Sequence, residues 1–153
     1  MAVEVDKRVP DFTAAATGGD LKLSALKGSA IVLYFYPKDD TPGCTTEGHD
    51  FGAAHAKFRR AGAEIFGVSR DSLKSHERFK EKLSLPYELI SDPDEQLCQL
   101  FGVMKMKNMY GKQVRGVERS TFFIDREGVL RREWRGVKVP GHVDEVLAVV
   151  KAI

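Results

Sequence analysis

The chain has 153 residues, which is enough for one domain whose core buries roughly two thirds of the unfolded surface. Charged residues make up 30% of the composition, the net charge is only +2, and Lys and Arg are mixed with Asp and Glu along the chain. This balance gives no reason to expect a nucleic acid or an anionic membrane as partner. No apolar run approaches the roughly 18 residues of a membrane span, and residues 1–8 lack the apolar stretch of a secretion signal, so we expect a cytoplasmic protein.

The first predicted elements are a small hairpin and a buried strand. Segments 12–16 and 20–24 flank Thr17-Gly18-Gly19, and glycine accepts the positive φ that a tight hairpin turn needs. The run Ile-Val-Leu-Tyr-Phe-Tyr at 31–36 predicts a strand that is buried on both faces.

The next segment predicts a helix followed by a parallel strand. After Cys44, apolar positions repeat at helical spacing through Phe58, and Ala61-Gly62 supplies a stop. Residues 65–68 resume a buried strand. Strand, crossover helix and strand form a right-handed βαβ unit, so Cys44 should lie beside the carboxyl end of a parallel strand, where open α/β sheets bind ligands.

The second half predicts a polar helix, a short strand, a short helix, an antiparallel pair and a closing helix. The polar helix covers 72–82, and the strand covers 87–90. Asp92-Pro93-Asp94-Glu95 offers a cap, a first-turn proline and a reciprocal acid for a helix through 98–101, whereas 105–116 has no clear pattern and is expected to be a loop. Strands at 121–124 and 129–134 bracket a turn, and apolar positions from Val143 to Val150 predict the last helix.

These elements predict a single α/β domain over residues 1–153. It would have a thioredoxin-like fold, in which a mixed central sheet carries helices on both faces and begins with an N-terminal β-hairpin.

Cys44 is the candidate nucleophile. Thr41 can cap the helix and Pro42 can occupy its first position, which leaves Cys44 in the first turn with the Thr41 hydroxyl near the sulfur. Amide N–H groups and the positive dipole end at a helix N-terminus stabilise an anion, so this position favours the reactive thiolate. A lone cysteine in such a domain is most often an inert buried thiol, and only its surroundings decide against that interpretation.

Three further residues complete the predicted site. Pro37 has no N–H and can form a wall of the pocket without competing for the sulfur. Arg119 alternates with core residues of a late strand, and an inward arginine needs an anion, although it could instead pair with Glu118 at the surface. Glu47, one turn after Cys44, could orient the guanidinium through a bidentate pair, or could simply favour the helix N-terminus by its charge.

The other cysteine and the histidines suggest no metal or redox pair. Cys44 and Cys98 form no C-x-x-C pair, which argues against a thiol-disulfide oxidoreductase, and no metal-ligand spacing. The four histidines show no H-x-x-x-H pair. We therefore expect neither a metal nor another cofactor.

The string Tyr36-Pro37-Lys38-Asp39-Asp40-Thr41-Pro42-Gly43-Cys44-Thr45, with Glu47 and Arg119, resembles the peroxiredoxins, and in particular the peroxiredoxin Q or bacterioferritin comigratory protein group. The resemblance runs from about Val9 to the C-terminus. It implies reduction of hydrogen peroxide and organic hydroperoxides by the Cys44 thiolate, without metal, haem or flavin. The thiolate would become a sulfenic acid, which another thiol must resolve.

The second thiol is where this sequence departs from the group. Many members carry the resolving cysteine five positions after the reactive one, where this chain has His49, and others place it near Lys80. Cys98 remains, in an apolar segment where we favour core packing. We therefore expect a one-cysteine cycle resolved by thioredoxin or by glutathione with glutaredoxin, in a monomer. The alternative is a peroxide sensor or holdase without turnover.

Overall fold

The computed structural model describes residues 2–153, and outside residues 104–117 its strands and helices follow the predicted order. The strands are β1 (Thr13–Ala16), β2 (Leu21–Lys22), β3 (Ala30–Phe35), β4 (Ala63–Ser69), β5 (Glu88–Ser91), β6 (Met104–Met109), β7 (Lys112–Val117), β8 (Ser120–Ile124) and β9 (Leu130–Arg135). The α-helices are α1 (Pro42–Arg60), α2 (Leu73–Leu83), α3 (Gln96–Leu100) and α4 (His142–Ala152), and a 3-10 helix covers Leu23–Leu26.

Seven of these strands form one mixed sheet in the order β2-β1-β5-β4-β3-β8-β9. The predicted parallel pairing of β3 with β4 is confirmed, and β4 also pairs with β5 in parallel. On its other side β3 pairs antiparallel with β8, which pairs with β9. The N-terminal hairpin of β1 and β2 adds to the far edge through β5. β3 is therefore an interior strand with neighbours on both sides, and from its end the chain enters α1.

The core consists of two clusters, one on each face of the sheet. Alternate residues of β3 separate between them, so Leu33 packs in one cluster and Tyr34 in the other. The Tyr34 face is covered by α1, α2 and α4 and contains Cys44. The Leu33 face is covered by α3 and the N-terminal segment and contains Cys98. The predicted helices on both faces are confirmed, and the two cysteines lie on opposite sides of the sheet.

The prediction of a loop at 105–116 is wrong. This segment forms a two-stranded hairpin of β6 and β7, with Met109 opposite Lys112 and a two-residue turn at Tyr110 and Gly111. Both turn residues have positive φ, 53° and 79°, as a tight hairpin connection requires. Most of its side chains are exposed, so the segment lacks the hydrophobic alternation by which a half-buried strand is recognised.

The start of the short helix α3 also differs from the prediction. Glu95 adopts a left-handed conformation, and the helix begins at Gln96 instead of at Pro93. Asp92 is nevertheless the capping carboxylate, because it accepts hydrogen bonds from the amides of Leu97 at 3.1 Å and Cys98 at 2.8 Å. No helix among residues 2–153 is long and apolar enough to cross a membrane.

Gly67 in β4 makes room for the aromatic packing under α1. A Cβ at this position would lie 2.8 Å from Leu89 Cδ2 and 2.9 Å from the Tyr34 hydroxyl oxygen, which is hydrogen-bonded to Tyr87. We expect Gly67→Ala to lower the free energy of unfolding by about 1–3 kcal/mol, measured by denaturant titration, because the core must shift to accept the methyl group.

Gly52→Ala is the matched control for this prediction. Its new Cβ would lie 3.5 Å from Pro86, an ordinary contact, and the position is helical. We expect a gain of about 0.5–1 kcal/mol there. Equal effects of the two substitutions would contradict the packing argument for Gly67.

Candidate active site

A short loop connects the end of β3 to α1, the helix that contains Cys44. After β3 the chain runs through Tyr36 and turns at Asp40, whose φ is +60°. Thr41 is extended and is the N-cap of α1, Pro42 opens the helix, and the amide of Thr45 donates to the Thr41 carbonyl at 2.8 Å. Cys44 therefore lies in the first turn, as predicted, and only 2% of its surface is exposed.

The spacing of the buried residues of α1 turns Cys44 and Glu47 towards the sheet. The buried positions of this helix recur at three- and four-residue intervals, which is the repeat of one helix face. They are Cys44, Glu47, Gly48, Phe51, Ala54 and Phe58. A thiol and a carboxyl group thus lie one turn apart on an otherwise apolar face.

Arg119 brings the only cation that these two groups contact among the described residues. It directly precedes β8, and its Nη2 donates to Cys44 Sγ at 3.4 Å while its Nη1 donates to Glu47 Oε1 at 2.6 Å. Its side chain is 17% exposed and that of Glu47 is fully buried. The structure therefore brings Cys44, Glu47 and Arg119 together, and the alternative of an Arg119–Glu118 surface pair is not what is seen.

The predicted bidentate pair between Arg119 and Glu47 is not formed. One guanidinium nitrogen donates to the sulfur, so only Glu47 Oε1 accepts a hydrogen bond from Arg119. Glu47 Oε2 is buried without a hydrogen-bond partner. The arginine therefore bridges the thiol and the carboxyl group instead of neutralising the carboxylate alone.

The predicted role of the Thr41 hydroxyl at the helix cap is also corrected. Thr41 is the N-cap, but its side chain makes no capping hydrogen bond. The hydroxyl instead donates to the carbonyl of Lys38 at 2.8 Å and so closes the loop that precedes the helix. Pro37 is half-buried in the same loop, directly after the fully buried Tyr36.

Burial dominates the electrostatics of the site. Loss of solvent raises the pKa of Glu47 to about 7, and the nearby Arg119 only partly opposes this shift. Burial alone would lower the pKa of Arg119, but Glu47 and Cys44 outweigh it and raise this pKa above the ordinary arginine value. Burial also lowers the pKa of His142, and Arg119 adds to this shift. The Nε2 atom of His142 lies 2.8 Å from the hydroxyl oxygen of Thr121.

Two residues near the guanidinium were missed by the sequence analysis. A Cβ on Gly43 would lie 3.1 Å from Arg119 Nη2, so glycine leaves room for this arginine beside the helix. Lys107 of β6 donates to the Val117 carbonyl at 2.5 Å, and its pKa is lowered by burial and then by Arg119. Gly43 lies inside the recognised motif, whereas nothing in the sequence around Lys107 marks it.

One group of side chains within residues 2–153 has the spacing of metal ligands. Asp39, Asp71 and His76 place one candidate ligand atom each within 4.8 Å of one another. These atoms are already hydrogen-bonded, His76 Nδ1 to Asp39 Oδ2 at 2.7 Å and Asp71 Oδ2 to the Asp39 amide at 3.0 Å. The group is therefore satisfied as a polar cluster, and it is separate from the contacts of Cys44.

Comparison with known proteins identifies the family of this chain. Residues 5–133 match the AhpC/TSA family. The chain belongs to this family. It is 55% identical over 143 residues to peroxiredoxin Bcp of Xanthomonas campestris, covering 93% of this chain and 89% of that protein. It is 49% identical over 152 residues to peroxiredoxin Bcp of Bacillus subtilis, with coverage of 99% and 97%.

A solved structure extends this likeness to the fold. The structure concerns the alkyl peroxide reduction activity of the Xanthomonas campestris bacterioferritin comigratory protein, seen in trapped intermediate and ligand complexes. It matches with a TM-score of 0.91 at 51% identity, covering 97% of this chain and 98% of that one. The predicted thioredoxin-like fold and peroxiredoxin resemblance are confirmed, and this peroxiredoxin is an enzyme, a thiol-dependent peroxidase.

The raised pKa of Glu47 predicts a pH dependence of stability. Between pH 4.5 and about 7 the folded peroxiredoxin holds a proton on Glu47 that the unfolded chain has released, so its stability falls as the pH rises through this window. Relative to Glu47→Gln, which cannot titrate, we expect the native protein to lose about 3 kcal/mol of unfolding free energy, at about 1.4 kcal/mol per pKa unit. Denaturant titrations of both proteins at pH 5 and pH 8 measure this difference; parallel pH profiles would contradict it.

Proposed function

We propose that Cys44 is the nucleophile of this peroxidase and that its thiolate is held by Arg119. The observation that carries the proposal is the 3.4 Å contact from Arg119 Nη2 to Cys44 Sγ, made in the first turn of α1. Guanidinium and helix N-terminus both favour negative charge at the sulfur, which counteracts the burial that disfavours it. A buried thiol without such a partner would stay protonated and inert.

The reaction follows from an ionised sulfur facing a cation. The Cys44 thiolate attacks the terminal oxygen of a hydroperoxide, an S–O bond forms and the O–O bond breaks. The sulfur is oxidised by two electrons to a sulfenic acid, and the substrate leaves as an alkoxide or hydroxide that takes a proton from water. Arg119 is placed to stabilise the charge that passes from sulfur to the departing oxygen.

The remaining predicted residues would shape this site. We propose that Glu47 orients the guanidinium through its 2.6 Å bond, and that Pro37 shields the sulfur from water. Thr41 would stabilise the bound peroxide through its hydroxyl. This hydroxyl donates a hydrogen bond to the Lys38 carbonyl in the reduced structure and would first have to leave it. The Cys44 amide N–H would be a further donor to the bound oxygen.

We further propose that the sulfenic acid is resolved by an external thiol. Cys44 and Cys98 pack in core clusters on opposite faces of the sheet, and Cys98 is fully buried. Burial raises the pKa of Cys98 well above its ordinary value, and the Asp92 carboxylate adds to the shift, so this thiol is a poor nucleophile. The reductant is an external thiol such as thioredoxin or glutathione with glutaredoxin, which condenses with the sulfenic acid to form a mixed disulfide with Cys44 and releases water. A second thiol of the reductant then attacks the mixed disulfide, so that Cys44 leaves as a thiolate and the reductant leaves as a disulfide.

The proposal also includes the domain organisation, the oligomeric state and the cellular location of the enzyme. The two core clusters draw on residues from Val3 to Val150, which supports one domain over 1–153. We propose that it acts as a monomer in the cytoplasm. Sedimentation of the reduced and the oxidised protein tests the oligomeric state.

Cysteine substitutions test the assignment of the nucleophile. We expect Cys44→Ser to abolish peroxide consumption with any thiol donor, because serine does not ionise at neutral pH. Cys98→Ser is the matched control and should retain most of the activity. Turnover that survives in Cys44→Ser would refute the assignment.

Mass spectrometry after one equivalent of peroxide tests the one-cysteine cycle. In the absence of a reductant we expect one added oxygen on the Cys44 peptide, and with glutathione present a mixed disulfide there. A disulfide between Cys44 and Cys98 would contradict external resolution while leaving the nucleophile assignment intact.

Arg119→Ala tests the electrostatic argument. We expect the second-order rate constant with hydrogen peroxide to fall by about a hundredfold or more, because a donor to the developing oxyanion is lost. The rate at which iodoacetamide alkylates Cys44 at neutral pH should fall, because the cation that favours the thiolate is then missing. Arg115→Ala removes an exposed arginine that pairs with Glu95 and is the control. Unchanged rates in Arg119→Ala would contradict the role of the guanidinium.

A further inference from the structure

A buried polar cluster lies under the loop that leads to Cys44. It consists of Tyr36, Asp39, Asp71, Ser75 and His76, which we call the loop clamp. Asp39 is 6% exposed and His76 is fully buried. Burying a carboxylate is unfavourable unless hydrogen bonds replace its water, so the contacts of Asp39 show what the cluster holds in place.

The Asp39 carboxylate receives donors from two different elements. The Tyr36 hydroxyl donates to Oδ1 at 2.6 Å, and this hydrogen bond connects Asp39 to the first residue after β3. The Ser75 hydroxyl lies 2.8 Å and His76 Nδ1 lies 2.7 Å from Oδ2, and both belong to α2. The carboxylate therefore joins the loop after β3 to a helix that follows β4.

The partners of Asp39 are themselves fixed to the sheet. His76 Nε2 lies 2.9 Å from the Ile90 carbonyl oxygen of β5, so the imidazole ring connects Asp39 to the sheet. Asp71 follows β4; its Oδ2 accepts from the Asp39 amide at 3.0 Å and from the Ser69 hydroxyl at 2.5 Å. Both the side chain and the backbone of Asp39 are thus attached to a rigid support.

The attachment lies close to the reacting sulfur along the chain. Asp40, directly after Asp39, makes the left-handed turn, and Thr41 then begins α1 with Cys44 in its first turn. A shift of Asp39 would move this turn relative to Arg119, which belongs to a different part of the chain, directly before β8. Displacement of a reacting group by about 1 Å can reduce a rate by about a hundredfold.

We propose that Asp39 and His76 are positioning residues of the peroxidase, which hold the first turn of α1 so that Cys44 Sγ meets Arg119. This inference rests on the proposed function of Cys44. The clamp acts on the N-terminal side of the cysteine, whereas Arg119 and Glu47 act on the sulfur and on the helix face. When the first turn opens for resolution, movement is confined to the residues after Asp39, because Asp39 itself stays attached to α2 and to Asp71.

Three variants separate positioning from stability alone. His76→Leu removes both hydrogen bonds of the imidazole, while His76→Asn keeps a side-chain donor near the place of Nδ1 and can still reach Asp39. Thr17→Ala is the control, because it also loses two hydrogen bonds at a buried position, to Glu88 and from Leu89, and neither bond involves a residue of the loop clamp.

The rate of Cys44 oxidation by hydrogen peroxide, measured in a single turnover, is the first readout. We expect His76→Leu to lower it by roughly tenfold or more, His76→Asn to restore most of it, and Thr17→Ala to leave it within about twofold of the native rate. Melting temperatures are recorded alongside. A His76→Leu variant that melts lower but reacts at the native rate would overturn the proposal.

Hydrogen exchange of the reduced protein is the second readout and needs no peroxide. We expect the amides of residues 45–47, the first of which donates to the Thr41 carbonyl, to lose protection in His76→Leu and to keep it in Thr17→Ala. If exchange changes as expected but the native protein shows no Cys44 oxidation, the proposed function fails and the clamp stands. If exchange in this turn is unchanged, the clamp is refuted. Should His76→Leu not fold, Asp39→Asn takes its place in both measurements with the same expected results.

Discussion

The contact between the guanidinium of Arg119 and the sulfur of Cys44 is the interaction on which the site depends. It joins the first turn of α1 to the residue before β8, two parts of the chain that meet because α1 follows β3 and β8 pairs with β3. The antiparallel register pairs Phe35 with Ser120, so Arg119 lies beside the point where the chain leaves β3 for the loop. β3 thus positions both partners of the contact.

The same contact explains why the site can hold two acidic groups with one cation. Cys44 and Glu47 both face the sheet from one side of α1, and Arg119 donates one nitrogen to each. With its pKa raised to about 7 by burial, Glu47 can take up a proton near neutral pH. In the proposed reaction, protonation of the carboxyl group leaves the positive charge of Arg119 for the Cys44 thiolate, which is the group that must be ionised.

The sequence was sufficient where local pattern and burial agree. The apolar run of β3 and the inward positions of α1 have unambiguous periods, so the βαβ unit and the place of Cys44 could be predicted. The pattern around Arg119 left open an inward side chain or a surface pair with Glu118, and the family string favoured the inward position. The family string added the chemistry that these patterns leave open, since an inert thiol would have the same hydrophobic surroundings.

The failures of sequence analysis lie where tertiary contacts decide the local geometry. The Thr41 hydroxyl turns to the Lys38 carbonyl because the loop closes on itself before α1, a turn that Asp40 makes in a left-handed conformation. The hairpin of β6 and β7 is mostly exposed and offers no alternation, and α3 begins late because Glu95 is left-handed. Asp39 and His76 could not be connected from the sequence, since 37 positions separate them.

Ultraviolet absorbance of the thiolate, recorded during a pH titration of the reduced protein, tests the central claim most directly. The account predicts a thiolate signal at neutral pH that is absent from Cys44→Ser and present in Cys98→Ser. The signal should move to higher pH when Arg119 is replaced, because the cation beside the sulfur is then missing. A native protein without thiolate absorbance at neutral pH, or with a signal that persists in Cys44→Ser, would contradict the account.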